Sequence, residues 1–364
     1  MKKLFASALL LWLAIDVSGQ SFKTISGKAI DAKTKSAIPF CTVYILGESI
    51  GTIANESGYF QLNIPARFWN DTLAISHVGF QNFYGIVDEL PNKLMIQLTE
   101  AVLNLDEVSV ATKRLTASEI FEKVIERISN KNGYPASDFR MDGFYREIHS
   151  SEGDRTGVLE CAVEIYSDGV TDPFKNIIIP QFRKVYDRQE NTDQFIEAKE
   201  GHNHLLLLLN GGINLIPIGK QYKSSIWQLP LEIEKITYFN DRLVYLLSNE
   251  SYGRKLKLYV DTENYAVYRN ELIMQVTEGD HDNYAWRKVN SEGEKCGAMI
   301  DYQGYEYREI NGKLYPYYSF RRFDFRCYDL KEDSVSSKSS FSTELLINNV
   351  VEGVSVKSLF ADLT

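Results

Sequence analysis

Alternating apolar and polar positions dominate the second half of the chain. In residues 255–260, Leu256, Leu258 and Val260 alternate with less apolar positions, which is the period-two pattern of a half-buried strand. Residues 265–276 repeat the pattern after a turn. Asn311-Gly312 then separates two further runs, 299–310 and 313–328, and this dipeptide is a strong signal for a two-residue hairpin. These patterns predict a large antiparallel β domain.

A single helical pattern precedes these strands. Thr116 and Glu119 have the spacing of a capping box, and Asn132-Gly133 marks the end of the pattern. Its apolar positions recur every three or four residues, at Ala117, Ile120, Phe121, Val124, Ile125 and Ile128. Such a stripe can cover a core or bind a partner. We favour a core role, because the long β region that follows needs covering.

Shorter strands are predicted nearer the N-terminus, between turns rich in Gly, Asn, Asp and Ser. Their order predicts an antiparallel β-sandwich over residues 22–98, with strands at 23–31, 42–46, 57–64, 71–77 and 94–98. Residues 99–115 are interpreted as a linker, within which residues 103–110 are either linker or an edge strand. Residues 116–364 then form the helix and the larger β-rich domain. The predicted fold class is mostly β, with a half-barrel-like second domain.

The N-terminal turns carry a family resemblance. The residues concerned are Gly27 with Asp31, Ile38-Pro39, Gly51-Thr52, Gly58-Tyr59-Phe60, and Ser76 with Gly79-Phe80. This set resembles the carboxypeptidase-regulatory-like domain, a transthyretin-type β-sandwich of Gram-negative envelope proteins. The resemblance implies a rigid sandwich without an active site. The second domain is similar to the uncharacterised regions that accompany this domain, and in its order of elements to periplasmic half-barrel lipoprotein carriers.

The first nineteen residues have the features of a secretory signal. Lys2 and Lys3 precede an apolar run at 4–15, and small residues follow before Gln20. We therefore expect residues 1–19 to be removed, and the mature protein to be periplasmic or associated with the outer membrane. The apolar run is shorter than a membrane-spanning helix requires, and no transmembrane segment is predicted in the mature chain.

Charge and composition narrow the choice of partners. The formal net charge is −9, which argues against a nucleic-acid partner, because such a partner requires a basic surface. The 22 Tyr and 19 Phe residues suit extensive β-sheet. An envelope protein, a glycan or a lipid remains open as the partner.

Two of the four cysteines are candidates for a disulfide. A two-residue turn at Asn311-Gly312 places residues opposite each other when their numbers sum to 623, and Cys296 and Cys327 meet this condition. Counted from the turn, the pair occupies a hydrogen-bonded site, whose Cα separation suits a disulfide. Pro316 can introduce a bulge that shifts the register. The alternative is two free buried thiols, which is also our interpretation of Cys41 and Cys161.

A candidate zinc site consists of His149, Glu152 and His281. The first two have the His-x-x-Glu spacing of zinc carboxypeptidases, and a second histidine follows far along the chain. Both histidine regions, however, lie at predicted hairpin tips. These enzymes also present their ligands on a parallel α/β sheet, whereas antiparallel strands are predicted here. We assign no metal site and no cofactor.

Other candidate residues also favour structural roles. His202 and His204 form a His-x-His pattern without a nearby carboxylate or thiol. Glu160 and Glu164 share one face of a predicted strand, where carboxylates are usually solvated. Residues 55–57 depart from the acidic loop that would bind calcium in related sandwiches. Because no nucleophile motif occurs either, we predict no catalytic residue.

Three hypotheses follow for the function. The leading one is a non-enzymatic, exported envelope protein that binds or scaffolds another component. The second is a periplasmic half-barrel carrier of an apolar or lipidic ligand, because alternating strands under one helix can form a concave apolar face. The third and least favoured is a zinc carboxypeptidase.

Overall fold

The structure, a computed structural model, comprises two compact units. It describes residues 21–46, 48, 50–55, 57–103, 115–130, 133–135, 137–167, 176–186, 205, 208, 230–251, 253–275, 286–289, 294–329, 331–332 and 334–354. The first unit comprises the residues up to His77 together with Gln81–Glu100. The second unit comprises Val78–Phe80 and the residues from Ala101 onward.

Two small sheets build the first unit. Its strands are β1 (Phe22–Asp31), β2 (Thr42–Ile45), β3 (Gly51–Ile53), β4 (Tyr59–Pro65), β5 (Thr72–Ser76), β6 (Phe83–Ile86) and β7 (Lys93–Leu98). One sheet has the order β4-β1-β7 and the other β3-β2-β5-β6. Short 3-10 helices at Ala66–Phe68 and Val87–Glu89 connect β4 to β5 and β6 to β7, in each case from one sheet to the other.

The first unit differs from the expected sandwich in two respects. The β1–β7 pair is parallel, whereas an entirely antiparallel sandwich was predicted, because alternation within a strand does not encode the direction of its neighbour. The strands β3 and β6 were not predicted, since three or four residues are too few to establish a period. Alternation holds in β4, where Phe60, Leu62 and Ile64 are buried between exposed neighbours.

One large antiparallel sheet forms the framework of the second unit. Twelve described strands belong to it, in the order β11-β10-β9-β19-β18-β17-β15-β14-β13-β12-β8, with β16 pairing on β17. Their bounds are β8 (Val102–Leu103), β9 (Phe139–Ser151), β10 (Asp154–Ser167), β11 (Asn176–Tyr186), β12 (Glu232–Phe239), β13 (Arg242–Ser251), β14 (Arg254–Asp261), β15 (Val267–Gln275), β16 (Trp286–Val289), β17 (Glu294–Ile310), β18 (Lys313–Asp329) and β19 (Ser334–Glu352).

The sheet is open, and among the described strands β11 and β8 form its two edges. The mostly-β class, with a sandwich, a helix and a large antiparallel sheet in that order, is therefore confirmed. The predicted linker or edge strand at 103–110 overlaps β8 at Leu103, and β8 pairs with β12; residues 104–110 lie outside the described residues. Within the described residues, no helix is both long enough and apolar enough to span a membrane.

The helix α1 (Ala117–Ser129) covers part of this sheet. Its buried residues Ile120, Phe121 and Val124 belong to a core cluster that also contains Leu256 and Leu258 of β14. The predicted stripe is thus a core surface. The predicted capping box is also present: Glu119 N–H donates to Thr116 Oγ1 at 3.2 Å, and Thr116 N–H donates to Glu119 Oε2 at 2.7 Å.

The cap gives a first prediction. Thr116→Ala removes the acceptor of the Glu119 amide and leaves that donor to water. We expect the free energy of unfolding to fall by about 1 kcal/mol, measured by urea denaturation followed by circular dichroism. Thr116→Ser is the matched control, since its hydroxyl can still cap the helix. Equal losses for the alanine and serine variants would contradict this role for the cap.

Two β-bulges interrupt the hairpin of β17 and β18. From the turn at Asn311-Gly312, facing residues sum to 623 as far as Tyr307 and Pro316, and to 624 from Glu306 and Tyr318 onward. A second bulge on β17, at Met299, restores the sum of 623 at Ala298 and Phe325. The predicted slip at Pro316 therefore occurs, and the second bulge cancels it.

Cys296 and Cys327 face each other beyond the second bulge and are joined as a disulfide. Their Cα atoms are 4.1 Å apart, which is close to the spacing of a non-hydrogen-bonded pair. The expectation of a hydrogen-bonded site, which assumed an uninterrupted register, is therefore wrong. The bulges change the alternation between hydrogen-bonded and non-hydrogen-bonded pairs. Cys41 and Cys161 are buried and form no disulfide.

Thiol labelling provides the second prediction. In protein recovered from an oxidising compartment and then unfolded, we expect alkylation at Cys41 and Cys161 alone. After reduction, all four cysteines should react, and peptide mass spectrometry identifies each labelled site. Labelling of Cys296 and Cys327 before reduction would show that the bridge is absent from the protein.

Candidate functional site

A row of charged side chains crosses one face of the large sheet. Directly paired residues of neighbouring strands project to the same face, and the register pairs Arg183 with Glu160, Glu160 with Arg146, and Arg146 with Glu344. Their signs therefore alternate across β11, β10, β9 and β19. The Arg146 guanidinium donates two hydrogen bonds to Glu344 Oε2, at 3.1 and 2.5 Å, and Arg183 forms an ion pair with Glu160.

The row continues through two uncharged positions. Glu344 faces Phe320, Phe320 faces Gly304, and Gly304 faces Glu271. A Cβ at Gly304 would lie 2.4 Å from Phe320 Cε1, so the absence of a side chain at Gly304 makes room for the Phe320 ring. This ring lies 6.0 Å from the Arg269 guanidinium. In the register, Phe320 therefore lies between Glu344 on β19 and Glu271 on β15.

Three of the buried charged residues form a cluster, which we call the buried triad: Arg269, Glu271 and Glu306. Each is at most 6% exposed. Arg269 Nε donates to Glu271 Oε1 at 2.8 Å, and Arg269 Nη1 donates to Glu306 Oε2 at 3.2 Å. One guanidinium thus bridges two carboxylates, a geometry that suits its planar fork of donors.

In the buried triad, burial and ion pairing shift the pKa values of the side chains in opposite directions. Burial alone would lower the pKa of Arg269, but Glu271, Tyr302 and Glu306 raise it well above its usual value. Burial raises the pKa of Glu306, and the adjacent Arg269 only partly offsets this effect. The guanidinium therefore stays charged, and the stability of the ionised carboxylates depends on it.

Tyrosines surround the buried triad. Burial, and after it the charge of Glu271, raises the pKa of Tyr302 to about 12. Burial likewise raises the pKa values of Tyr259 and Tyr318. These phenols stay protonated near neutral pH, so none of them is poised as a base.

The arrangement is chemically suited to holding strands together. The charged side chains of the row pair across neighbouring strands, those of the buried triad pair both within β15 and between β15 and β17, and the tyrosines are held in their neutral form. Among the described residues, no group of three or more His, Cys, Asp or Glu side chains could hold a metal ion.

The residues of the considered zinc site have separate partners. His149 is buried on β9, with its Nε2 3.6 Å from Glu147 Oε2 and its ring 4.7 Å from that of Phe341. Glu152 lies in the turn between β9 and β10, where its Oε1 accepts the backbone N–H of Lys338 at 2.6 Å. His281 lies outside the described residues.

The remaining sequence candidates divide into two groups. Glu160 and Glu164 lie on β10, paired with Arg183 and hydrogen-bonded to Tyr166 respectively. Those outside the described residues are His202, His204, Glu56 and the proposed signal at 1–19. Arg269, Glu271 and Glu306 were not predicted from the sequence. The spacing of Arg269 and Glu271 places both on one face of a strand, but it shows neither their burial nor the position of Glu306.

A family model matches the N-terminal part of the chain. Residues 25–110 match the CarboxypepD_reg-like domain, which confirms the predicted resemblance. Domains of this kind are non-catalytic regulatory modules. The β-rich region that follows has no such match. None of the curated proteins compared with the chain matches it.

Two solved structures show weak similarity. One is lipovitellin, at 9% identity and a TM-score of 0.24, covering 61% of this chain and 26% of that one. The other is a protein of unknown function from Bacteroides fragilis NCTC 9343, at 9% identity and a TM-score of 0.18, covering 92% of this chain and 99% of that one. The chain thus spans about a quarter of lipovitellin. Both TM-scores are too low to bear on fold or function.

Proposed function

We propose that this chain is an exported cell-envelope protein whose β units bind or scaffold another component without catalysing a reaction. The observation that carries the proposal is the mutual pairing of buried charges in the second unit, centred on the buried triad. The charged side chains that form these pairs serve the structure of the sheet. The regulatory-like domain at residues 25–110 and the signal-like leader support the non-catalytic role and the export.

A carrier of apolar ligands has less support. Such a carrier requires a continuous apolar surface, whereas charged pairs from Arg183 to Glu344 cross one face of the open sheet. The opposite face, in the region of β14, is covered by α1. We therefore retain binding or scaffolding as the proposed function.

Fractionation of the native host tests export. We expect the protein in the envelope fraction, with an intact mass that lacks residues 1–19. A variant with Lys2 and Lys3 replaced by Glu should accumulate in the cytoplasm unprocessed, because the basic start of the leader is lost. Wild-type protein that remains in the cytoplasm with its leader intact would contradict export.

A hydrolase panel tests the absence of catalysis. Purified protein is assayed on peptide, ester and glycoside substrates, with and without added Zn²⁺, alongside His149→Ala and Glu271→Gln. We expect equal, background rates for all three proteins. A turnover by the wild type that either substitution abolishes, in a variant shown by circular dichroism to be folded, would overturn the proposal.

A further inference from the structure

The edge strand β11 is exposed along most of its length. All seven residues from 179 to 185 are exposed, although alternate residues of a strand point to opposite faces. The described residues therefore leave both faces of this stretch uncovered. Among the described strands, β11 pairs with β10 alone. The strand thus presents an uncovered rim of the sheet to the surroundings.

This rim combines large apolar side chains with positive charge. Ile179, Phe182 and Val185 are 50%, 69% and 59% exposed. Arg183 contacts Glu160, yet its side chain is still 72% exposed, and Lys184 follows it. The strand contains no acidic residue, in a chain whose net charge is −9. Exposed apolar residues grouped with local basic charge mark an interaction site.

Several features of β11 disfavour backbone pairing with a further strand. Pro180 lacks the N–H that a ladder requires, and it lies at a bulge in the register between Ala162 and Glu164. Proline, bulges and basic side chains are the devices that keep sheet edges from pairing with further strands. The exposed apolar side chains therefore require an occupant that does not depend on backbone hydrogen bonds.

We propose that β11 is a membrane-contacting edge that binds the surface of an anionic lipid bilayer. Ile179, Phe182 and Val185 would enter the boundary between headgroups and acyl chains, where an apolar side chain gains by leaving water. Arg183 and Lys184 would contact the anionic headgroups, which attract basic residues close to the surface. The inference goes beyond the proposed function, which specifies no lipid.

Vesicle flotation tests this edge. The full chain is mixed with phosphatidylcholine vesicles that contain or lack phosphatidylglycerol, at low and at high salt. We expect binding to the anionic vesicles that weakens with salt, because salt screens the attraction. Replacing Ile179, Phe182 and Val185 by Ser should weaken binding at least about tenfold. Lys184→Gln should weaken it about fivefold.

The matched control replaces three exposed apolar residues of the first unit, Phe22, Tyr59 and Met95, by Ser. This control should bind the vesicles as strongly as the wild type does. Every variant has the same N-terminus as the wild type. Circular dichroism and thermal unfolding verify that each variant is folded.

Equal binding by the β11 variant and the wild type, or no preference for phosphatidylglycerol, would overturn the inference. So would a β11 variant that only converts a dimer into a monomer in sedimentation, since this result would assign the edge to a second copy. Export and the absence of catalysis would be unaffected by any of these failures.

Discussion

Arg269→Met is expected to lower the free energy of unfolding by about 3–5 kcal/mol, because it leaves two buried carboxylates without their shared partner. Arg269 Nε and Nη1 donate to Glu271 and Glu306, and all three residues are almost fully buried. Methionine approximates the volume of the arginine stem, so the loss reports charge more than packing. Urea denaturation followed by circular dichroism provides the measurement.

The loss should depend on pH. Burial already raises the pKa of Glu306, and Arg269 is the first of the groups that lower it, so removing the guanidinium raises that pKa further. A carboxyl whose pKa is higher in the folded than in the unfolded state stabilises the fold at low pH, and this contribution is lost as the pH rises through the folded-state value. The destabilisation by Arg269→Met should therefore be largest near neutral pH and smaller in acid.

Two comparisons identify the cause. Lys255→Met removes an ion pair with Glu250, whose side chain is 70% exposed, and it should cost at most about 1 kcal/mol. Adding Glu271→Gln and Glu306→Gln to Arg269→Met should recover part of the loss, because no unpaired charge then remains buried. A triple variant no more stable than Arg269→Met alone would contradict the explanation by charge.

Phe121→Ala should cost about 3–5 kcal/mol, because it opens a cavity in the core between α1 and the sheet. Phe121 is 3% exposed and belongs to the same core cluster as Ile120, Leu256 and Leu258. The expected observable is a lower urea midpoint for the second unit. Glu122→Ala, on the exposed side of the same helix, should change stability by less than about 0.5 kcal/mol. Similar losses for the two variants would show that α1 does not anchor this core.

Local signals predicted α1 closely. The apolar stripe, the capping box and the following Asn132-Gly133 all lie within one short segment, so they agree without information from the rest of the fold. The hairpin turn at Asn311-Gly312 is equally local. By contrast, the parallel β1–β7 pair joins segments about sixty residues apart, and no pattern within either strand specifies that neighbour.

The buried triad could not be derived from the sequence for a related reason. Arg269 and Glu271 belong to β15, and Glu306 comes from β17. Their proximity depends on the pairing of these two strands, which are separated in sequence by about thirty residues. Alternation indicated on which face each would lie, but a charged residue in a strand is usually solvated. Only the assembled sheet shows that these positions are buried.

Because the two bulges of the β17–β18 hairpin compensate each other, the effect of an insertion or deletion at one bulge depends on the other. Loss of Tyr317 alone, or of Met299 alone, would leave one uncompensated offset and move Cys296 away from Cys327. Loss of both would shorten each strand by one residue and preserve the geometry at both ends. In relatives of this protein, length changes at these two sites should therefore occur together.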